Sequence, residues 1–214
     1  MYTELHARSA FSFLEGASLP EELAGACAEQ GMGAMALLDR DGVYGAPRFH
    51  LAAKKHSLKA HIGAEITSSA GWRCVLLVES RAGYQNLCRL ITHIKLHAKK
   101  GQGRIAAEDL AGRAAGLICL TGGEEGPLAH ALRLGGMEQA TQCVQKLCHL
   151  LAVRMFTLNC SGISAARKKR AIRRHWGSRA NYRCLCWPPT ECAMPFPISA
   201  KFWTSLPAFA TITI

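Results

Sequence analysis

With 214 residues, 49% of them hydrophobic and 19% charged, the chain is long and apolar enough to bury a sizeable core, which excludes both a disulfide miniprotein and a disordered chain. The formal net charge of +11 is unevenly spread: residues 1–155 hold 17 of the 26 Lys and Arg and 14 of the 15 Asp and Glu, whereas the remaining 59 hold nine basic residues against Glu191 alone. That last stretch also has five of the eight Pro, three of the four Trp and four of the ten Cys, so two compositions are joined in one chain.

The opening MYTELHARSAFSF contains Glu4 and no apolar signal-peptide core, so the ten cysteines read as free thiols of a reducing cytoplasm. No apolar run approaches the roughly 18 residues of a membrane-spanning helix. In chain order, residues 3–6 predict a short strand and residues 7–17 a loop containing Phe11, Phe13 and Gly16. A helix comes next, with Ser18 and Glu21 in capping-box spacing, Pro20 in the first turn and Gly31 placed to end it. The apolar run 34–38, bounded by glycine and Asp39, predicts a strand buried on both faces. Residues 46–56 predict a helix with Phe49, Ala52 and Ala53 on one side, and 61–66 and 72–78 predict strands. Further elements are a helix over 84–94, a strand over 117–120 and a helix over 137–151. This alternation implies parallel βα units, in a doubly wound sheet or a barrel.

In such architectures functional groups gather at the carboxyl ends of the strands. His6, Asp39 and Glu65 fall there, one imidazole and two carboxylates suited to a divalent metal that polarises a phosphoryl group and activates water. Each also has a plain structural use: Asp39 as a loop cap, Glu65 as a solvated strand end, His6 as a hydrogen-bonded edge residue.

The blocks ELHARSAFSFLEGAS, ALLDRDGVYGAPRFHLAAKK and IGAEI, then LLVESRAGYQNLCRLIT and GLICLTGGEEGPLAHAL, resemble the polymerase-and-histidinol-phosphatase (PHP) domain over about residues 2–152. More narrowly they resemble the PHP domain at the amino end of bacterial error-prone DNA polymerases, relatives of the DNA polymerase III alpha subunit. The resemblance implies a distorted seven-stranded βα barrel, of which about two-thirds is represented. It also implies DNA and other polymerase domains or subunits as partners, and a role in DNA replication and damage-tolerant repair. The metal-binding members of that family open with His-x-His-Ser, where this chain keeps His6 but has Arg8, and continue with Thr-Asp-His-Gly, where it keeps Asp39 but has Arg40. Glu65 matches the third motif. A guanidinium cannot coordinate a metal, but it can pair bidentately with a carboxylate and supply positive charge in its place. The site is therefore expected to be vestigial and metal-free, zinc or manganese entering only if His6, Asp39 and Glu65 are occupied. Arg8 and Arg40 either bridge to Asp39 and Glu65 or point to solvent. The palm domain that carries nucleotidyl transfer in the family lies far downstream, so no polymerase activity is expected of this chain.

The last stretch invites two functional readings: nucleic-acid binding through Arg167, Lys168, Lys169, Arg170, Arg173 and Arg174, and a zinc site from Cys184, Cys186 and Cys192 with His175. A third explains the change of composition as translation out of frame. Met and Trp have single codons, so the frame starting at each third codon position is partly determined: Met155–Phe156 gives Val, Cys186–Trp187–Pro188 gives Leu-Ala, and Phe202–Trp203–Thr204 gives Leu-Asp. With suitable synonymous codons the shifted frame spells a continuation of the same domain. The expectation is thus an α/β chain, an incomplete PHP-type barrel of parallel strands over 1–152, followed by a poorly structured, out-of-frame tail over 153–214. The rival readings are a free-standing metal-dependent PHP phosphoesterase and a small nucleic-acid-binding protein acting through its basic tail.

Overall fold

Residues 3–150, with Phe156 and Thr157, are described by a computed structural model. One curled sheet runs in the order β1 (Glu4–Ala7), β2 (Ala34–Arg40), β3 (Lys59–Thr67), β4 (Arg73–Val78) and β5 (Leu117–Leu120), ending on the two-residue β6 (Phe156–Thr157). Helices α1 (Pro20–Glu29), α2 (Ala46–Lys55), α3 (Arg81–Leu96) and α4 (Pro127–Leu150) are interspersed, so the incomplete α/β barrel expected from the sequence is present among the described residues as a curled half-barrel. No helix among the described residues is long and apolar enough to cross a membrane.

Strand direction is corrected at one place. β1, β2 and β3 pair in parallel, as does β5 with β6, but β4 is antiparallel to both β3 and β5. Only residues 68–72 separate β3 from β4. A parallel crossover needs about a dozen residues, whereas a hairpin closes over a few.

The two-residue period of the strands divides the apolar side chains between the sheet faces. Ala36, Leu38, Val75, Leu77, Ile118 and Leu120 form one cluster with Leu5 on the concave side. On the other face, Met35 and Leu37 pack with Ala24, Cys27, Phe49 and Ala52 of α1 and α2. Farther along that face Ile66, Cys74, Leu76 and Val78 meet Leu87, Leu90 and Ile94 of α3 and Val144 of α4. Cys27, Cys74, Cys88, Cys119 and Cys143 are free thiols.

Helix ends obey local chemistry. α1 is capped by Leu19 rather than the expected Ser18, because Pro20 with its fixed backbone takes the first helical position; the Leu19 amide donates to Glu22 Oε2 at 2.7 Å. Gly31 (φ +68°) then closes a Schellman turn, its amide donating to Ala28 and that of Met32 to Cys27. α3 begins at Arg81, three residues before the expected start, because the Ser80 hydroxyl accepts from the Gly83 amide. α4 begins ten residues early at Pro127 and breaks at Gly135 and Gly136, so the predicted helix from 137 is its second half. The predicted boundary at 152 is crossed by β6; the remainder of the tail, with the basic run 167–174, Cys184, Cys186, Cys192 and His175, lies outside the described residues.

Candidate functional site

The carboxyl ends of β1, β2 and β3 and the start of the antiparallel β4 lie at one end of the sheet. Register determines which side chains meet there. Arg40 is paired with Glu65, and Glu65 with Val75, so all three share the concave face; two residues along the same hairpin, Arg73 stands opposite Thr67. Asp39 is one residue out of phase, beside Ala64, and belongs to the opposite face.

That phase separates the sequence-predicted ligands. Asp39 is buried, and its Oδ1 accepts from the Ser9 amide at 2.9 Å, the Ser9 hydroxyl at 2.8 Å and the Ser12 hydroxyl at 2.9 Å. Its Oδ2 accepts from the Gly45 amide at 3.2 Å. Asp39 therefore stitches the β1–α1 loop to the loop before α2, and it does not join His6 and Glu65.

His6 and Glu65 do meet. Glu65 is fully buried, and its Oε1 accepts from His6 Nε2 at 2.8 Å and from Arg8 Nε at 2.5 Å. Arg8 Nη2 donates to Glu65 Oε2 at 2.9 Å, completing a side-on bidentate pair, and also reaches Glu125 Oε2 at 2.9 Å. Arg40 pairs with Glu15 Oε1 at 2.7 Å and lies 3.5 Å from Asp41 Oδ2, so it bridges to neither expected carboxylate. Asp41 itself accepts from the Thr67 amide and hydroxyl, both at 2.8 Å, tying the end of β2 to the end of β3.

Three participants were absent from the sequence expectations. Arg73 donates to both oxygens of Glu15, each at 2.7 Å, and lies 3.1 Å from Glu125 Oε2 and 3.5 Å from Glu65 Oε2. Glu15 comes from the β1–α1 loop and Glu125 from the β5–α4 loop. Their signal in sequence was slight: three charges on separate segments converge only once β4 is known to run backwards beside β3.

The network keeps its charges. Burial alone would raise the Glu65 carboxyl, but the hydrogen bonds and charges of His6 and Arg8 outweigh it and bring its pKa to about 2. Burial likewise opposes the charge on Glu15, yet the Arg73 hydrogen bond and the three arginines hold it below the usual range. Burial works against the cations of Arg8 and Arg73 too, and their glutamate partners push both upward.

A divalent metal needs lone pairs aimed at a common point. Here both Glu65 oxygens face a guanidinium, Asp39 is consumed on the other face, and a cation at Glu65 would meet two fixed positive charges. No group of three or more His, Cys, Asp or Glu among the described residues is placed to hold a metal ion. His6, Asp39 and Glu65 do not fit the metal that the sequence motifs suggest.

A family model described as "PHP domain" matches residues 4–161. The error-prone DNA polymerase of Dechloromonas aromatica is 48% identical over 109 residues, 51% of this chain and 11% of its own length. That of Pseudomonas aeruginosa is 43% identical over 119 residues, 56% of this chain and 12% of its own. The chain thus spans about a ninth of the length of the curated relatives it matches. Among solved structures, a two-domain protein from Bacteroides vulgatus containing a predicted PHP-like metal-dependent phosphoesterase aligns with a TM-score of 0.41 and 14% identity, covering 72% of this chain and 43% of that one.

Proposed function

Because the chain belongs to the PHP domain family over residues 4–161, we propose that it corresponds to the amino-terminal PHP portion of an error-prone DNA polymerase of the DNA polymerase III alpha type, and that alone it neither polymerises DNA nor hydrolyses phosphoesters. The first half is supported by 43–48% identity to curated error-prone DNA polymerases over about half of the chain. In this reading its setting is cytoplasmic DNA replication and damage-tolerant repair, and its partners are DNA and the other domains or subunits of the polymerase.

The observation that carries the second half is the Arg8 guanidinium clasping Glu65 where the family motif has a histidine. A phosphoesterase of this type requires metal-activated water, and the guanidinium occupies the carboxylate that would bind the metal. The same proposal treats residues 153–214, of which the family match reaches only 153–161, as out-of-frame sequence, whose basic run has no selected role.

Two assays test the activity statement on the purified chain. Primer extension with magnesium or manganese is expected to show no incorporation, and a chromogenic phosphoester with zinc or manganese is expected to remain intact. Template-directed incorporation, or hydrolysis abolished in Glu65→Ala, overturns it. The gene sequence across codon 155 tests the tail: the frame starting at each third codon position should remain open and spell the polymerase continuation. Early stops there, with salt-sensitive DNA binding lost on deleting 160–214, would favour the basic-tail reading.

A further inference from the structure

Arg8 and Arg73 touch the same three carboxylates. Arg8 lies 2.5 Å from Glu65, 2.9 Å from Glu125 and 3.5 Å from Glu15; Arg73 lies 2.7 Å from Glu15, 3.1 Å from Glu125 and 3.5 Å from Glu65. The three acids come from the β1–α1 loop, β3 and the β5–α4 loop, and the two cations from the residue that follows β1 and the start of β4. A carboxylate shared between two cations, three times over, is an arrangement that a bridged pair of metal ions would produce. Here both charges are covalently part of the chain.

We propose that Arg8 and Arg73 act together as a built-in pair of cations that positions Glu15, Glu65 and Glu125 and closes the strand ends without metal. Arg73 is as much a part of this device as Arg8, although only position 8 falls in a recognisable motif. Arg40 is peripheral, since it reaches Glu15 but neither Glu65 nor Glu125. The geometry also divides the work. Arg8 clamps the buried Glu65 to β1, whereas Arg73 takes both oxygens of Glu15 and so draws the β1–α1 loop over the sheet end. Without either guanidinium, Glu15, Glu65 and Glu125 would be left with too little positive charge among them; as they stand no three of these residues are placed to hold a metal ion, so a divalent cation would have to draw them together anew. This inference goes beyond the proposed function: it is read from stability and metal uptake, so its failure and a failure of the activity statement are separately visible.

The experiment uses the full chain in the presence of either EDTA or manganese chloride, measuring Tm and, by titration calorimetry, metal uptake. Wild type should give one Tm in both solutions and no heat of binding. Arg8→Ala and Arg73→Ala should each lower Tm in EDTA by roughly 6–20 °C, as expected for breaking a buried pair in a domain of this size. The double variant should lose less than the sum of the two, because the cations share their partners. Manganese should bind the Arg8→Ala and double variants and recover part of the lost Tm, an effect that a merely structural salt bridge would not show. If the alanine variants fail to fold, Arg8→Lys and Arg73→Lys retain charge without the bidentate fork and should show a smaller loss. Stoichiometric metal in wild type, an unchanged Tm in both single variants, strict additivity, or the absence of any manganese effect in the variants overturns the proposal.

Discussion

Glu65 concentrates the electrostatics of the molecule in one side chain, 1% exposed and ringed by His6, Arg8 and Arg73. Its folded pKa of about 2 lies below the ordinary value of 4.5, so the folded state binds this proton less readily than the unfolded state. The resulting stabilisation is complete above pH 4.5 and is lost as pH falls from there through about 2. The depressed Glu15 acts in the same direction. Acid unfolding monitored by circular dichroism should therefore begin below about pH 4.5, and Glu65→Gln should flatten that limb; an unaltered acid limb in the variant would contradict the assignment. Burial also ranks the arginines: Arg8→Ala should cost about 3–5 kcal/mol, whereas Arg48→Ala, whose partner Glu21 is on the surface, should leave urea unfolding almost unchanged. At this scale the motifs made His6, Arg8 and Glu65 legible. Asp39 kept two readings, ligand and loop cap, because a linear motif does not show on which face of a strand each letter lies, and its bonds to Ser9, Ser12 and Gly45 are those of the cap; Arg73, Glu15 and Glu125 were hidden because their meeting depends on a register between distant segments.

Elements were more legible than contacts between them, because apolar period and cap chemistry are local. β2, α2 and β5 carry their own signals in continuous apolar runs or a 3.6-residue stripe, and their observed bounds lie close to the expected ones. The direction of β4 was not legible from its own residues, since VLL reads alike in either direction; the shortness of the link 68–72 was the usable clue. Close approach of elements leaves a sharper trace in glycine. A Cβ on Gly83 would stand 1.8 Å from the Gly116 carbonyl oxygen, so α3 rests directly on the turn entering β5. Gly83→Ala should push that helix outward and cost about 3 kcal/mol, at the upper end of overpacking, measured by chemical denaturation. Ser57 presents the converse case: it closes the α2 Schellman turn at φ +56°, where a side chain is strained. Ser57→Gly should raise stability by about 0.5–1 kcal/mol, and a loss would show that the serine side chain outweighs the backbone strain.

On the scale of the whole molecule, the concave cluster of Leu5, Ala36, Leu38, Val75, Leu77, Ile118 and Leu120 sits on a sheet that curls without closing on itself among the described residues. β5 is held by four pairs on the β4 side and by two on the β6 side, where Cys119 and Leu120 face Phe156 and Thr157. Parallel sheets are ordinarily covered at both faces and closed or protected at their edges, because an open edge presents unpaired amides and carbonyls to other chains. The central strands β2 and β3 pair with each other over seven residues and each has a second neighbour over part of its length, so they should protect their amides longest. β5 should exchange faster than β3 despite its complete burial, because a two-residue neighbour is easily lost from the sheet edge. Loss of that neighbour exposes the strand, and the chain should then self-associate as concentration rises. Hydrogen exchange with peptide-level readout, combined with sedimentation velocity over a hundredfold concentration range, checks both consequences. Equal protection of β5 and β3 in a chain that stays monomeric throughout would mean that β6 and the residues beyond Thr157 seal the edge, and would return the tail to the status of a working part of the fold.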